Sequence, residues 1–116
     1  MNYMETQVEE KGDIVVVRVE GRLDAASSPQ LELKINSIID QGHFKIIMDL
    51  SGVEYLSSAG MRLLLAASKK LKHLEGKLVA CSISDEVMKV VKMAGFHQVV
   101  EFYSNEDECL THLVNT

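Results

Sequence analysis

Two hydroxyls stand where a side chain can be presented for chemistry. Ser57 and Ser58 follow an apolar run and open a segment of helical period, so a strand hands over to a helix N-terminus at that point. A serine there can act as a nucleophile, accept a phosphoryl group, or only cap the helix through its oxygen. The nucleophile reading asks for a glycine ahead of the serine to make the turn tight, and Ser57-Ser58-Ala59-Gly60 lacks it. No acid and histidine are placed in sequence to complete a triad. Asp24, in Val19-Glu20-Gly21-Arg22-Leu23-Asp24-Ala25, is a second exposed polar candidate at the end of a strand. It can cap a turn or meet a partner.

Other chemistry is poorly supplied. Gly76-Lys77-Leu78 lacks the upstream glycine and the hydroxyl of a phosphate-cradling loop, and no Gly-x-Gly-x-x-Gly follows a strand. His43, His73, His97 and His112 are scattered over turns and helix ends with no His-x-x-x-His pair, so neither metal nor cofactor is expected. Cys81 and Cys109 sit in apolar-periodic segments and form no Cys-x-x-Cys pair. They read as buried thiols of a reduced, cytoplasmic protein. These observations point away from an enzyme.

The chain that must position these residues has 116 of them, 47% hydrophobic, enough for one domain over 1–116 with a core that needs no disulfide staples. Its net charge of −5 supplies no basic face for a phosphate backbone, which argues against nucleic acid. The longest apolar run after the opening, Leu63 to Ala67, is far too short for a membrane span. The start, Met1-Asn2-Tyr3-Met4-Glu5, has neither the basic nor the apolar region of a secretory signal.

Periodicity and turn residues punctuate the chain regularly. Tyr3 to Val8 and the β-branched run Ile14 to Glu20, separated by Glu10-Lys11-Gly12-Asp13, predict an opening β-hairpin. Ser27-Ser28-Pro29 announces a helix carrying Leu31, Ile35, Ile38 and Ile39 and closed by Gly42. Phe44 to Leu50 is apolar at nearly every position, as in a strand buried on both faces. The next helix starts near Ser57-Ser58, with Met61, Leu64, Leu65, Ser68 and Leu71 on one face. A short strand over Leu78 to Cys81 follows. Ser84-Asp85-Glu86 then opens a third helix with Val87, Val90, Val91 and Ala94 inward, ended by Gly95. Val99 to Phe102 reads as the last strand, and Ser104-Asn105-Glu106-Asp107 caps a final helix bearing Cys109, Leu110 and Leu113. Strands alternating with helices imply an α/β domain: a central, mostly parallel mixed sheet of about five strands with four α-helices.

Taken together, Gly21-x-Leu23-Asp24, Asp49-Leu50-Ser51 and Tyr55-Leu56-Ser57-Ser58-Ala59-Gly60-Met61 resemble the STAS domain of anti-sigma factor antagonists over essentially the whole chain. The resemblance implies a non-enzymatic protein that binds an anti-sigma factor, commonly a serine kinase, and so releases a sigma factor for transcription. It implies phosphorylation of one serine as the off switch, reversed by a PP2C-type phosphatase. The family's acceptor lies two residues before the glycine, which places it at Ser58, with Ser57 as second choice because many members carry Asp there. The binding face it implies comprises Asp24, Ala25, Ser27, Ser28, Ser57, Ser58, Ala59, Gly60, Met61, Arg62, Ser82 and Ser84. Within the family, a scaffold or a lipid-transport subunit is the alternative; outside it, a small hydrolase using Ser58.

Overall fold

The computed structural model describes residues 3–114. Met4–Lys11 (β1) and Ile14–Leu23 (β2) form the antiparallel hairpin. Then come helix Ser28–Asp40 (α1), strand Lys45–Leu56 (β3), helix Ser58–His73 (α2), strand Lys77–Cys81 (β4) and helix Asp85–Met93 (α3). A 3-10 turn at Phe96–Gln98 leads into Glu101–Tyr103 (β5) and Glu106–Val114 (α4). The sheet order is β1-β2-β3-β4-β5, parallel from β2 onward.

That order decides where the core sits. Each crossover from β2 to β5 steps the same way along the sheet, and right-handed crossovers of one direction put their helices on one face. Accordingly Val15, Val17 and Val19, Ile46, Met48 and Leu50, and Leu78 and Ala80 point into one large core with residues of α1, α2 and α3. The alternate residues Ile14, Val16, Ile47, Val79 and Cys81 face the other way and are covered by Cys109 and Leu113 of α4. The buried run Ile46 to Leu50 is the two-sided strand centre that its composition predicts.

The structure corrects several boundaries and faces. β3 does not stop at Leu50 but runs on to Leu56. Register shifts against β2 insert extra residues, so Leu50, Val53 and Leu56 turn inward at intervals of three instead of two. The inner stripe of α2 is Gly60, Leu63, Leu64, Ala67 and Leu71, with Met61 and Leu65 only half-buried against it. On α3 only Val87 and Val91 are buried; Val90 is 45% exposed, and Ala94 falls beyond the last helical turn. Val99 is exposed, because the 3-10 turn consumes the approach to β5.

Candidate functional site

The carboxyl ends of β2 and β3 carry both candidate stretches. At Gly21 the backbone φ is +102°, and any Cβ would collide with the carbonyl of Tyr3, the residue ahead of β1, so only glycine fits there. Leu23 is fully buried, and its carbonyl accepts a 3.0 Å hydrogen bond from the Ser57 N–H. Asp24 then organises the turn into α1. Its Oδ1 accepts from the N–H groups of Ala26 and Ser27, both at 3.1 Å. Those bonds, the Ser27 one foremost, hold the Asp24 carboxyl below its usual pKa, so it stays a carboxylate. Ser27 donates from Oγ to the Arg22 carbonyl at 2.7 Å and accepts from the Asp24 N–H at 3.0 Å. Ser28 is buried, its Oγ bonded to the Asp24 carbonyl at 2.6 Å. Both serines therefore shape the turn from within, while Asp24 and the exposed Ala25 form its surface.

The second stretch separates its two hydroxyls. Ser57, half-buried in extended conformation, is the N-cap of α2, and its Oγ accepts from the Gly60 N–H at 3.3 Å. Ser58 is the first helical residue, exposed, and its hydroxyl makes no hydrogen bond among the described residues. Gly60 is buried, because an added Cβ would stand 2.8 Å from Leu56 Cδ1 and 2.9 Å from Leu23 Cγ and from Leu23 O. The glycine thus lets the start of α2 lie flush on the end of β2. Arg62, one turn on from Ser58, is exposed and forms no ion pair among the described residues. It flanks an open groove between the starts of α1 and α2, lined also by Ala25, Pro29, Ala59, Leu63 and Ala66.

One pair was missed in the sequence. Arg22 lays its guanidinium 4.2 Å above the Tyr55 ring, and its Nε lies 3.8 Å from Asp24 Oδ2. That Nε is buried without a hydrogen-bond partner. Both residues lie in the stretches singled out above, but their contact depends on the β3 insertions that bring Tyr55 opposite Arg22.

The third candidate segment is set back from the other two. Ser82, with φ of +62°, follows Cys81, and its Oγ donates to the Ser104 carbonyl at 3.3 Å. Ser84 is exposed and caps α3 by accepting from the Val87 N–H at 3.2 Å. β3 continues seven residues past Asp49, the residue that faces Cys81. The structure therefore brings the Asp24 turn beside the start of α2 through the bond from the Ser57 N–H to the Leu23 carbonyl, whereas Ser82 and Ser84 lie farther back along the same edge. Among the described residues no cluster of His, Cys, Asp or Glu could hold a metal ion.

These features define a class: an α/β module that offers a hydroxyl-bearing helix start, framed by strand-end turns, on an open surface. The STAS domain profile matches residues 5–109, and the chain belongs to that family. An anti-sigma F factor antagonist of Lysinibacillus sphaericus is 31% identical over 84 residues, 72% of each chain. Among solved structures, an anti-sigma factor antagonist from Mycobacterium paratuberculosis superposes with a TM-score of 0.88 at 27% identity, covering 96% of this chain and 94% of that one. The anti-sigma factor antagonist SpoIIAA in its unphosphorylated form gives 0.82 at 25% identity, covering 97% and 98%. The Bacillus SpoIIAA in its phosphorylated form gives 0.69 at 25%, covering 90% and 96%.

Proposed function

We propose that this chain, as one domain over 1–116, is an anti-sigma factor antagonist. Unphosphorylated, it binds an anti-sigma factor of the serine-kinase type in the cytoplasm and frees a sigma factor for transcription. Phosphorylation of Ser58 switches the binding off, and a PP2C-type phosphatase restores it. The relatives named anti-sigma factor antagonists support this reading, as does the existence of one of them in a phosphorylated form. No helix is long and apolar enough to cross a membrane among the described residues.

The observation that carries the site is the division of labour at the start of α2. Ser57 spends its oxygen on the Gly60 N–H, while the Ser58 hydroxyl is exposed and unengaged. A phosphate on Ser58 would meet the positive end of the helix dipole and the first N–H groups, which have no intrahelical acceptor. Arg62 at i+4 adds a cation on the same helix face. The fold therefore tolerates the charge. The partner does not: about −1.5 to −2 charges appear where a neutral hydroxyl had been desolvated. A few kcal/mol of repulsion and desolvation moves a dissociation constant by about two decades or more.

The test uses the protein with its cognate kinase and ATP. One phosphate is expected, mapped by fragmentation to Ser58. Ser58→Ala should block it and still bind the anti-sigma factor, while Ser58→Asp should bind at least about a hundredfold more weakly with near-normal stability. Phosphate on Ser57 overturns the site assignment, and failure of the unmodified protein to bind any anti-sigma factor overturns the function.

A further inference from the structure

The second face of the sheet holds a feature that the switch does not use. Its buried cluster has seven members, Ile14, Val16, Ile47, Val79, Cys81, Cys109 and Leu113, and two of them are thiols. Cys81 ends β4 and Cys109 lies in the first turn of α4; both are free and fully buried. Cys109 Sγ approaches the carbonyl of Ala80, the residue before Cys81, at 3.6 Å. Both thiols belong to this one cluster, so α4 sets Cys109 against the end of β4. The neighbouring Cys109 holds the Cys81 thiol below its usual pKa, while Cys81 and burial push the Cys109 thiol up.

The helix above this pair is short and held at its margins. α4 has nine residues and buries only Cys109 and Leu113. Its other ties lie at its edges: the Arg18 guanidinium on both Glu106 oxygens at 2.8 Å, Lys45 Nζ on the Leu113 carbonyl at 3.4 Å, the half-buried Leu110, and the His112 ring stacked 4.3 Å from that of Tyr103. An element with few buried contacts opens locally at a free energy well below that of global unfolding. Opening of α4 uncovers both thiols together.

We propose that Cys81 and Cys109 form a thiol pair that low-molecular-weight disulfides convert to an internal disulfide, fastening α4 to the end of β4. The step balances by thiol–disulfide exchange with a reagent RSSR. The Cys81 thiolate attacks one sulfur of RSSR, the S–S bond breaks, and RS⁻ leaves. Cys109, having lost its proton, attacks the Cys81 sulfur of the mixed disulfide and expels a second RS⁻. The protein gives up two protons and two electrons, and RSSR is reduced to two RSH. Within the pair the roles are unequal: Cys81 stays fixed at the end of β4 and meets the reagent when α4 lifts, and Cys109, carried on α4, resolves as the helix returns.

The native protein incubated with hydroxyethyl disulfide provides the test. The intact mass is expected to fall by two hydrogens, with a non-reduced digest linking the peptides of Cys81 and Cys109. Amide exchange across Glu106–Val114 should slow by about tenfold or more, because local opening of α4 is then tethered. In Cys109→Ser the reaction should stop at the mixed disulfide on Cys81. Three results overturn the proposal: both thiols staying free in the native protein although they react once urea unfolds it; reagent retained on the wild type as a mixed disulfide; or crosslinking between molecules in place of the internal bond.

Discussion

Replacing Gly60 with alanine perturbs the contact that seats the start of α2. The new Cβ would stand 2.8 Å from Leu56 Cδ1, 2.9 Å from Leu23 Cγ and 2.9 Å from Leu23 O. The leucine side chains can rotate away, but the Leu23 carbonyl is fixed by its 3.0 Å bond from the Ser57 N–H. Relief must come from the start of α2 backing off the end of β2, which stretches that bond. Overpacking of this size costs about 1–3 kcal/mol. Alanine recovers about 0.5–1 kcal/mol of helix propensity. The central values leave a net loss of about 1 kcal/mol, at most about 2.5 kcal/mol, or about 5 °C in Tm at about 4 °C per kcal/mol. Urea denaturation read by circular dichroism measures it, and phosphorylation of the folded variant by the cognate kinase should slow as well. A Gly60→Ala protein as stable as wild type, or more so, would show that the glycine is not there for close approach.

Leu64→Ala should cost about 2–5 kcal/mol in the same urea assay, since Leu64 is only 1% exposed and its methyls fill the large core. Asp49→Asn should be neutral or stabilising at neutral pH. Burial and then the neighbouring Glu106 push the Asp49 carboxyl above its usual pKa, and asparagine can still accept the 3.0 Å bond from the Ser51 N–H. A raised folded-state pKa favours the fold when the group is protonated and loses that contribution as pH rises. Any gain from Asp49→Asn should therefore shrink as pH falls through the carboxylate range, which stability curves at several pH values would show. Asp24→Asn should weaken partner binding or phosphorylation more than the fold, since an asparagine oxygen can keep the Ala26 and Ser27 bonds while the charge beside Arg22 is lost. Calorimetric binding set beside a melting curve separates the two effects.

The element order was legible because strands, helices and turns each kept their own period and punctuation. The tail of β3 was not. The apolar run ends at Leu50, and the inward residues Leu50, Val53 and Leu56 break the period of two because inserted residues shift the register. The outward set of Val90 has a similar origin: nine residues of α3 offer too few turns for sequence spacing to fix which stripe faces the sheet. At the site, Gly21, Leu23, Asp24 and Gly60 could be singled out from the sequence, but the different tasks of Ser57 and Ser58 could not. Either serine is chemically able to cap α2, and only the backbone geometry decides whose oxygen reaches the Gly60 N–H. The Arg22–Tyr55 stack was hidden for the same reason as the β3 tail: it exists only in the shifted register.

The hairpin pairing has a practical consequence for anyone attaching a label. Met4 faces Gly21, and the Tyr3 carbonyl accepts from the Arg22 N–H at 2.8 Å. A purification tag or dye fused ahead of β1 would therefore emerge beside the Asp24 turn and obstruct the partner-binding edge proposed above. At the other terminus, the Leu113 carbonyl meets the ammonium of Lys45, at the opposite end of the strands from Ser58. Immobilisation through the C-terminal end leaves the Ser58 edge clear for affinity measurements.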